Sequence, residues 1–124
     1  MILPGYYEFC CRVKVIAGHD ALEKIPGALA QLHAKRPLLI TDKGVSGAGL
    51  VDTVIDAIRD GVDIGAVADD VPQDSSLTVV NRLAVLYRAN NCDSIIAVGG
   101  GSVMDTAKGV NIVVSENADD LMKF

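Results

Sequence analysis

One segment constrains the fold of this 124-residue chain more than any other: Ile95-Ile96-Ala97-Val98-Gly99-Gly100-Gly101-Ser102-Val103-Met104-Asp105-Thr106-Ala107-Lys108. The uncharged run over residues 94–98 reads as a buried strand, three glycines turn the chain, and a helical pattern follows over 103–114. Glycine reaches positive φ and carries no Cβ, so a ligand can approach such a backbone closely. Free N–H groups at a helix start face whatever lies in front of them, with the positive end of the helix dipole behind. A pyrophosphate is a natural occupant of that position. A purely structural reading competes with this one. Ser102 and Asp105 have capping-box spacing, with Asp where Glu or Gln is usual, and the glycines can simply make a tight turn. The segment is neither the G-x-G-x-x-G fingerprint, since Met104 replaces the last Gly, nor a P-loop, since Lys108 lies too far into the helix.

The rest of the chain repeats the alternation. Pro37-Leu38-Leu39-Ile40-Thr41 is an apolar run closed by Asp42-Lys43-Gly44, and residues 62–68 read as a second strand. Residues 50–59 place Val51, Val54, Ile55 and Ile58 on one helical face. Residues 76–89 do the same with Leu77, Val80, Leu83, Ala84 and Tyr87. Upstream, residues 20–35 are helical in pattern but interrupted by Pro26, which fits the first turn of a second short helix. Residues 9–16, with Val13 and Val15, read as a further strand ending at Gly18. Strands without polar alternation, each followed by a helix, belong to a parallel sheet covered on both faces and joined by right-handed crossovers. The expected fold class is α/β: a Rossmann-like parallel sheet with helices on both faces, preceded by an N-terminal edge strand. A single domain over residues 1–124 suits this length.

Half of the residues are hydrophobic and 22% are charged, enough apolar material for a core and against a disordered chain. Aromatics make up only 4% with no Trp, so that core is built from Ala, Val, Ile and Leu. The net charge of −5 disfavours general nucleic-acid binding, although a local pocket can still hold a small anion. Cys10, Cys11 and Cys92 form neither a disulfide framework nor a Cys-x-x-Cys pair. No signal-peptide pattern opens the chain, and no run approaches the roughly 18–20 apolar residues that cross a bilayer. A cytoplasmic setting, with neither membrane nor nucleic acid as partner, is the default.

Asp42 is the second candidate site residue. At the end of the first sheet strand, a carboxylate can accept hydrogen bonds from both hydroxyls of an adenosine ribose. It also repels a 2′-phosphate, which favours NAD over NADP. The alternative is that Asp42 caps the next element, as Asp often does. His19 and His33 belong to no metal-spaced cluster, Cys92 reads as a small buried filler, and Asp69, Asp70 and Asp74 read as a solvated acidic loop.

The stretch from Gly99 to Lys108 resembles the GGGSxxDxAK signature of the iron-containing (group III) alcohol dehydrogenases. The resemblance extends through Thr41-Asp42-Lys43-Gly44 and the strand before it, and through Gly18 and the helix after it, covering nearly all of the chain from Phe9 onward. It implies an N-terminal NAD-binding domain, with Gly100, Gly101 and Ser102 at the pyrophosphate, Gly99 with them among the cofactor-binding residues, Asp42 at the adenine ribose and Asp105 toward the nicotinamide. It further implies a helical second domain, absent from this chain, that binds Fe2+ or Zn2+ through one Asp and three His. The small-molecule substrates of such enzymes are alcohols and aldehydes or ketones, and a homodimer is the implied assembly. The Pro-Asn-Pro-Thr loop of the family reads Pro72-Gln73-Asp74-Ser75 here. Without the second domain, hydride transfer by this chain alone is not expected, and a non-catalytic dinucleotide-binding or dimerisation module is the alternative.

Overall fold

A computed structural model of the protein describes residue 5, residues 12–74 and residues 76–124. Three parallel strands form the sheet: β1 (Pro37–Ile40), β2 (Ala66–Ala68) and β3 (Ser94–Ala97), in the order β2-β1-β3. Leu38 lies opposite Ala66 on one side and Ile95 on the other, which fixes the register of both ladders. Among the described residues, five α-helices accompany them: α1 (Ile25–Gln31), α2 (Lys43–Gly47), α3 (Leu50–Ile58), α4 (Leu77–Ala89) and α5 (Gly101–Ser115).

The central strand explains the layering. Leu38, Leu39 and Ile40 are all fully buried, so β1 has no solvent face. Side chains alternate across a strand. Leu38 and Ile40 join Val80, Leu83 and Ala84 of α4 and Val103, Ala107, Val110 and Val113 of α5. Leu39 faces the other way, onto Val51 and Val54 of α3. Ile96 of β3 packs on that same side, where Leu29 of α1 and Ile58 of α3 meet. Helices therefore cover both faces, and the α/β reading of the sequence holds. Gly109 lets the α4 and α5 backbones approach, because a Cβ there would stand 3.0 Å from a Val80 methyl.

Local chemistry accounts for the boundaries. Pro26 sits in the first turn of α1, after a 3-10 turn over Ala21–Lys24. Ser76 caps α4 by accepting a hydrogen bond from the Val79 N–H at 3.2 Å. The second strand is shorter than the 62–68 expected from sequence. Asp63 and Gly65 donate N–H bonds to Lys35 and Pro37, but the regular ladder starts only at Ala66. Gly65 is forced by packing, since a Cβ there would come within 2.6 Å of the Cys92 sulfur. Cys92 is buried, as expected, and burial pushes its thiol pKa up. Of the expected strand over 9–16, residues 9–11 lie outside the described residues, and residues 12–16 have no regular secondary structure. No helix among the described residues is long and apolar enough to cross a membrane.

The amino ends of β1 and β3 are joined through Asp93. Its two carboxylate oxygens accept hydrogen bonds from the Lys35 and Arg36 N–H groups, both at 2.9 Å, and the Ser94 hydroxyl donates a third at 2.8 Å. Burial raises the Asp93 pKa, but the Arg36, Lys35 and Ser94 hydrogen bonds outweigh it and hold the carboxyl below its ordinary value. A carboxyl lowered in the folded state contributes stability above its unfolded pKa and loses it as pH falls through the folded value. Asp93→Asn should therefore cost about 1 kcal/mol near neutral pH, a modest figure because the group is exposed. In chemical denaturation run from pH 7 to pH 3, the gap between variant and wild type should close as acid is added.

Candidate functional site

The strand order places the site. From β2 the chain crosses over β1 to reach β3, so the direction of winding reverses between β1 and β3. In an open parallel sheet, ligands bind outside the carboxyl ends of the strands that flank such a reversal. The residues just beyond those ends here are Asp42, after β1, and Gly99-Gly100-Gly101, after β3. Both glycines Gly100 and Gly101 line a cavity of about 390 Å3 together with Asp42, Ser102 and the loop residues Val71, Pro72 and Gln73.

Thr41 holds the two sides together. It is fully buried, and its Oγ1 donates to the Val98 carbonyl at 2.6 Å, bridging the ends of β1 and β3. Its N–H donates to the Ala68 carbonyl at 2.8 Å, and the Val71 N–H donates to its carbonyl at 3.3 Å. One residue thus fixes the exits of all three strands. Sequence reasoning did not single it out, although a lone polar residue closing an all-apolar strand was the available signal.

The three glycines do different work. Gly99 has φ +154°, and a Cβ there would lie 2.8 Å from a Val103 methyl, so the chain's own packing requires glycine. At Gly100 and Gly101 an added Cβ would meet nothing within 4 Å. Nothing internal explains these two, and both face the cavity. Helix α5 begins at Gly101, two residues before the expected start, with Gly100 as its N-cap and no side-chain cap. The capping box anticipated from Ser102 and Asp105 does not form, because Ser102 already lies within the first helical turn. Gly101, Ser102 and Val103 therefore present N–H groups that have no acceptor within the helix, and all three residues line the cavity.

Asp42 takes the capping role and also stands in the cavity wall. It caps α2, its Oδ1 accepting the Val45 N–H at 2.8 Å. Its Oδ2 receives no hydrogen bond among the described residues, and the side chain is half-buried at the cavity wall. Asp105 is exposed on α5 and lies outside the lining of this cavity. The acidic loop is partly neutralised, with Asp69 paired to Lys43 at 3.5 Å and Asp70 to Arg82 at 3.0 Å. Among the described residues, no group of three or more His, Cys, Asp or Glu is placed to hold a metal ion.

Residues 13–124 match the family described as iron-containing alcohol dehydrogenase. The chain belongs to this family. It is 37% identical over 99 residues to the 4-hydroxybutyrate dehydrogenase of Cupriavidus necator, covering 80% of this chain and 25% of that protein. It is 32% identical over 101 residues to the NAD-dependent methanol dehydrogenase of Bacillus methanolicus, covering 81% of this chain and 26% of that one. A crystal structure of a 1,3-propanediol oxidoreductase superposes with TM-score 0.76 at 33% identity, covering 82% of this chain and 27% of that chain. The chain thus spans about a quarter of the length of the relatives it matches.

The glycine geometry separates Gly99, which the packing requires, from Gly100 and Gly101, which it leaves open. Gly99→Ala should cost about 1–3 kcal/mol, through the strained φ and the Val103 contact. Gly100→Ala and Gly101→Ala should stay within about 0.5 kcal/mol of wild type. Thr41→Val, which leaves the Val98 carbonyl without its hydroxyl donor, should cost about 1–3 kcal/mol. Urea denaturation of the four variants measures all of these.

Proposed function

We propose that this chain is the NAD-binding part of a metal-dependent alcohol dehydrogenase, which interconverts alcohols and aldehydes or ketones. The observation that carries the proposal is the pair Gly100 and Gly101, which open onto the cavity with no internal steric reason to be glycine. A dinucleotide pyrophosphate seated there would accept hydrogen bonds from the first N–H groups of α5, with the helix dipole favouring its charge. Asp42 stands at the end of the adjacent strand and lines the same cavity, where the adenine ribose would follow the pyrophosphate. Its Oδ2 would accept from the ribose hydroxyls while Oδ1 remains in the α2 cap. Gly99 would act indirectly, by turning the backbone, and Asp105 would lie toward the nicotinamide, beyond the adenine half.

When bound, the nicotinamide supplies or accepts the hydride. The metal of the family finds no ligand set among the described residues, so no step of the chemistry is assigned to it here. Its binding and the polarisation of the substrate oxygen belong, in this proposal, to a further helical domain of a longer protein, and turnover by the 124 residues alone is not expected. The family relatives act, by name, on substrates as different as 4-hydroxybutyrate and methanol. That spread fits a reading in which the present residues hold the cofactor and do not choose the substrate.

Homodimerisation and a cytoplasmic location complete the proposal. Val13 and Val15, 72% and 81% exposed, are surfaces that a partner segment could cover.

Calorimetric titration with NADH and NADPH tests the cofactor assignment. The folded chain should bind NADH more tightly than NADPH. Gly101→Ala should weaken NADH by about tenfold or more, through overlap with the pyrophosphate, while leaving the fold intact. Equal NADH affinity in the variant and the wild type would remove the glycine turn from the site.

A further inference from the structure

Among the described residues that line the Asp42 cavity, Lys43 alone is cationic. Its Nζ lies 3.5 Å from Asp69 Oδ1. Asp69 directly follows β2, and β2 lies on the opposite side of β1 from β3. The lysine is thus paired on the β2 side of β1, opposite the β3 side that carries the proposed pyrophosphate seat, and an adenosine extending past Asp42 would bring its ribose toward that edge. Asp42 occupies that edge as well, with Oδ1 committed to the Val45 N–H. Two carboxylates and one ammonium leave a single negative charge there, suited to neutral hydroxyls and opposed to a phosphate.

We infer that the Lys43–Asp69 pair sets the discrimination of this cavity between a ribose 2′-hydroxyl and a 2′-phosphate, Asp69 neutralising a lysine that would otherwise attract the phosphate. The inference rests on the dinucleotide reading above and deepens it. Asp42 repels the 2′-phosphate directly, whereas Asp69 acts through Lys43 and is a positioning residue. The pair is exposed, with side-chain accessibilities of 77% for Lys43 and 44% for Asp69, so its effect is moderate and sensitive to salt. Being exposed, both residues can be substituted with little change in stability.

The probes are ADP and 2′-phospho-ADP, which differ only in the 2′-phosphate and do not need the nicotinamide half of a site. Calorimetry on the 124-residue chain gives the ratio of the two affinities, with thermal melts confirming that each variant is folded. Wild type should favour ADP. Asp69→Asn should shift the ratio toward 2′-phospho-ADP by about threefold at low salt, and less in 0.5 M salt. Adding Lys43→Ala to Asp69→Asn should abolish that shift. A ratio unchanged by Asp69→Asn, or a shift that survives the loss of Lys43, would overturn the inference while leaving the dinucleotide reading standing. A folded wild-type chain that binds neither probe would overturn both.

Discussion

β1 has a neighbour on each side, and this pairing is the constraint from which the rest of the molecule follows. Because the chain must cross β1 to place β3, its helices divide between the two faces, and the carboxyl ends of β1 and β3 diverge into a crevice. The full burial of Leu38, Leu39 and Ile40 is the same fact expressed in packing. A polar residue within that run would face a hydrophobic layer on one side or the other. Only at Thr41, where the strand ends, does a hydroxyl become useful, because the Val98 carbonyl is there to accept from it.

The two ends of the sheet are secured by different means. At the amino ends, the Asp93 carboxylate gathers the Lys35 and Arg36 N–H groups at an exposed position. At the carboxyl ends, Thr41 ties the strand exits from within the core. That division lets the upper edge carry unpaired donors at the start of α5 and a half-used carboxylate at Asp42 without weakening the sheet. Gly99 completes the separation. It bends the chain against Val103, so that Gly100 and Gly101 need satisfy only what enters the cavity.

Much of this was legible in the sequence, for identifiable reasons. Buried parallel strands are short apolar runs, so β1 and β3 stood out, and three glycines after such a run mark a turn beside a helix start. Asp42 was legible as a strand-end carboxylate, but its division between cap and cavity was not, because a cap depends on where the next helix begins. The short helix α2 was missed, since Lys43-Gly44-Val45-Ser46-Gly47 has two glycines and no apolar periodicity, and the Asp42 cap supplies what propensity does not. The helical start at Gly101 was displaced for a related reason. Glycine reads as a breaker in sequence, yet costs little at a first turn whose N–H groups are unpaired in any case. The need for glycine at Gly65 was not legible either, because Cys92, which a Cβ there would crowd, is distant in sequence and meets it only through packing.

The proposed function requires an anionic nucleotide held between the glycine turn and Asp42. The most direct measurement is an amide-resolved NMR titration of the 15N-labelled chain with ADP. The largest shifts should fall on Gly100, Gly101 and Ser102, with a second group at Asp42, Lys43 and Gly44. Shifts confined to other surfaces of the sheet, or no shifts at saturating ADP in a folded chain, would contradict it.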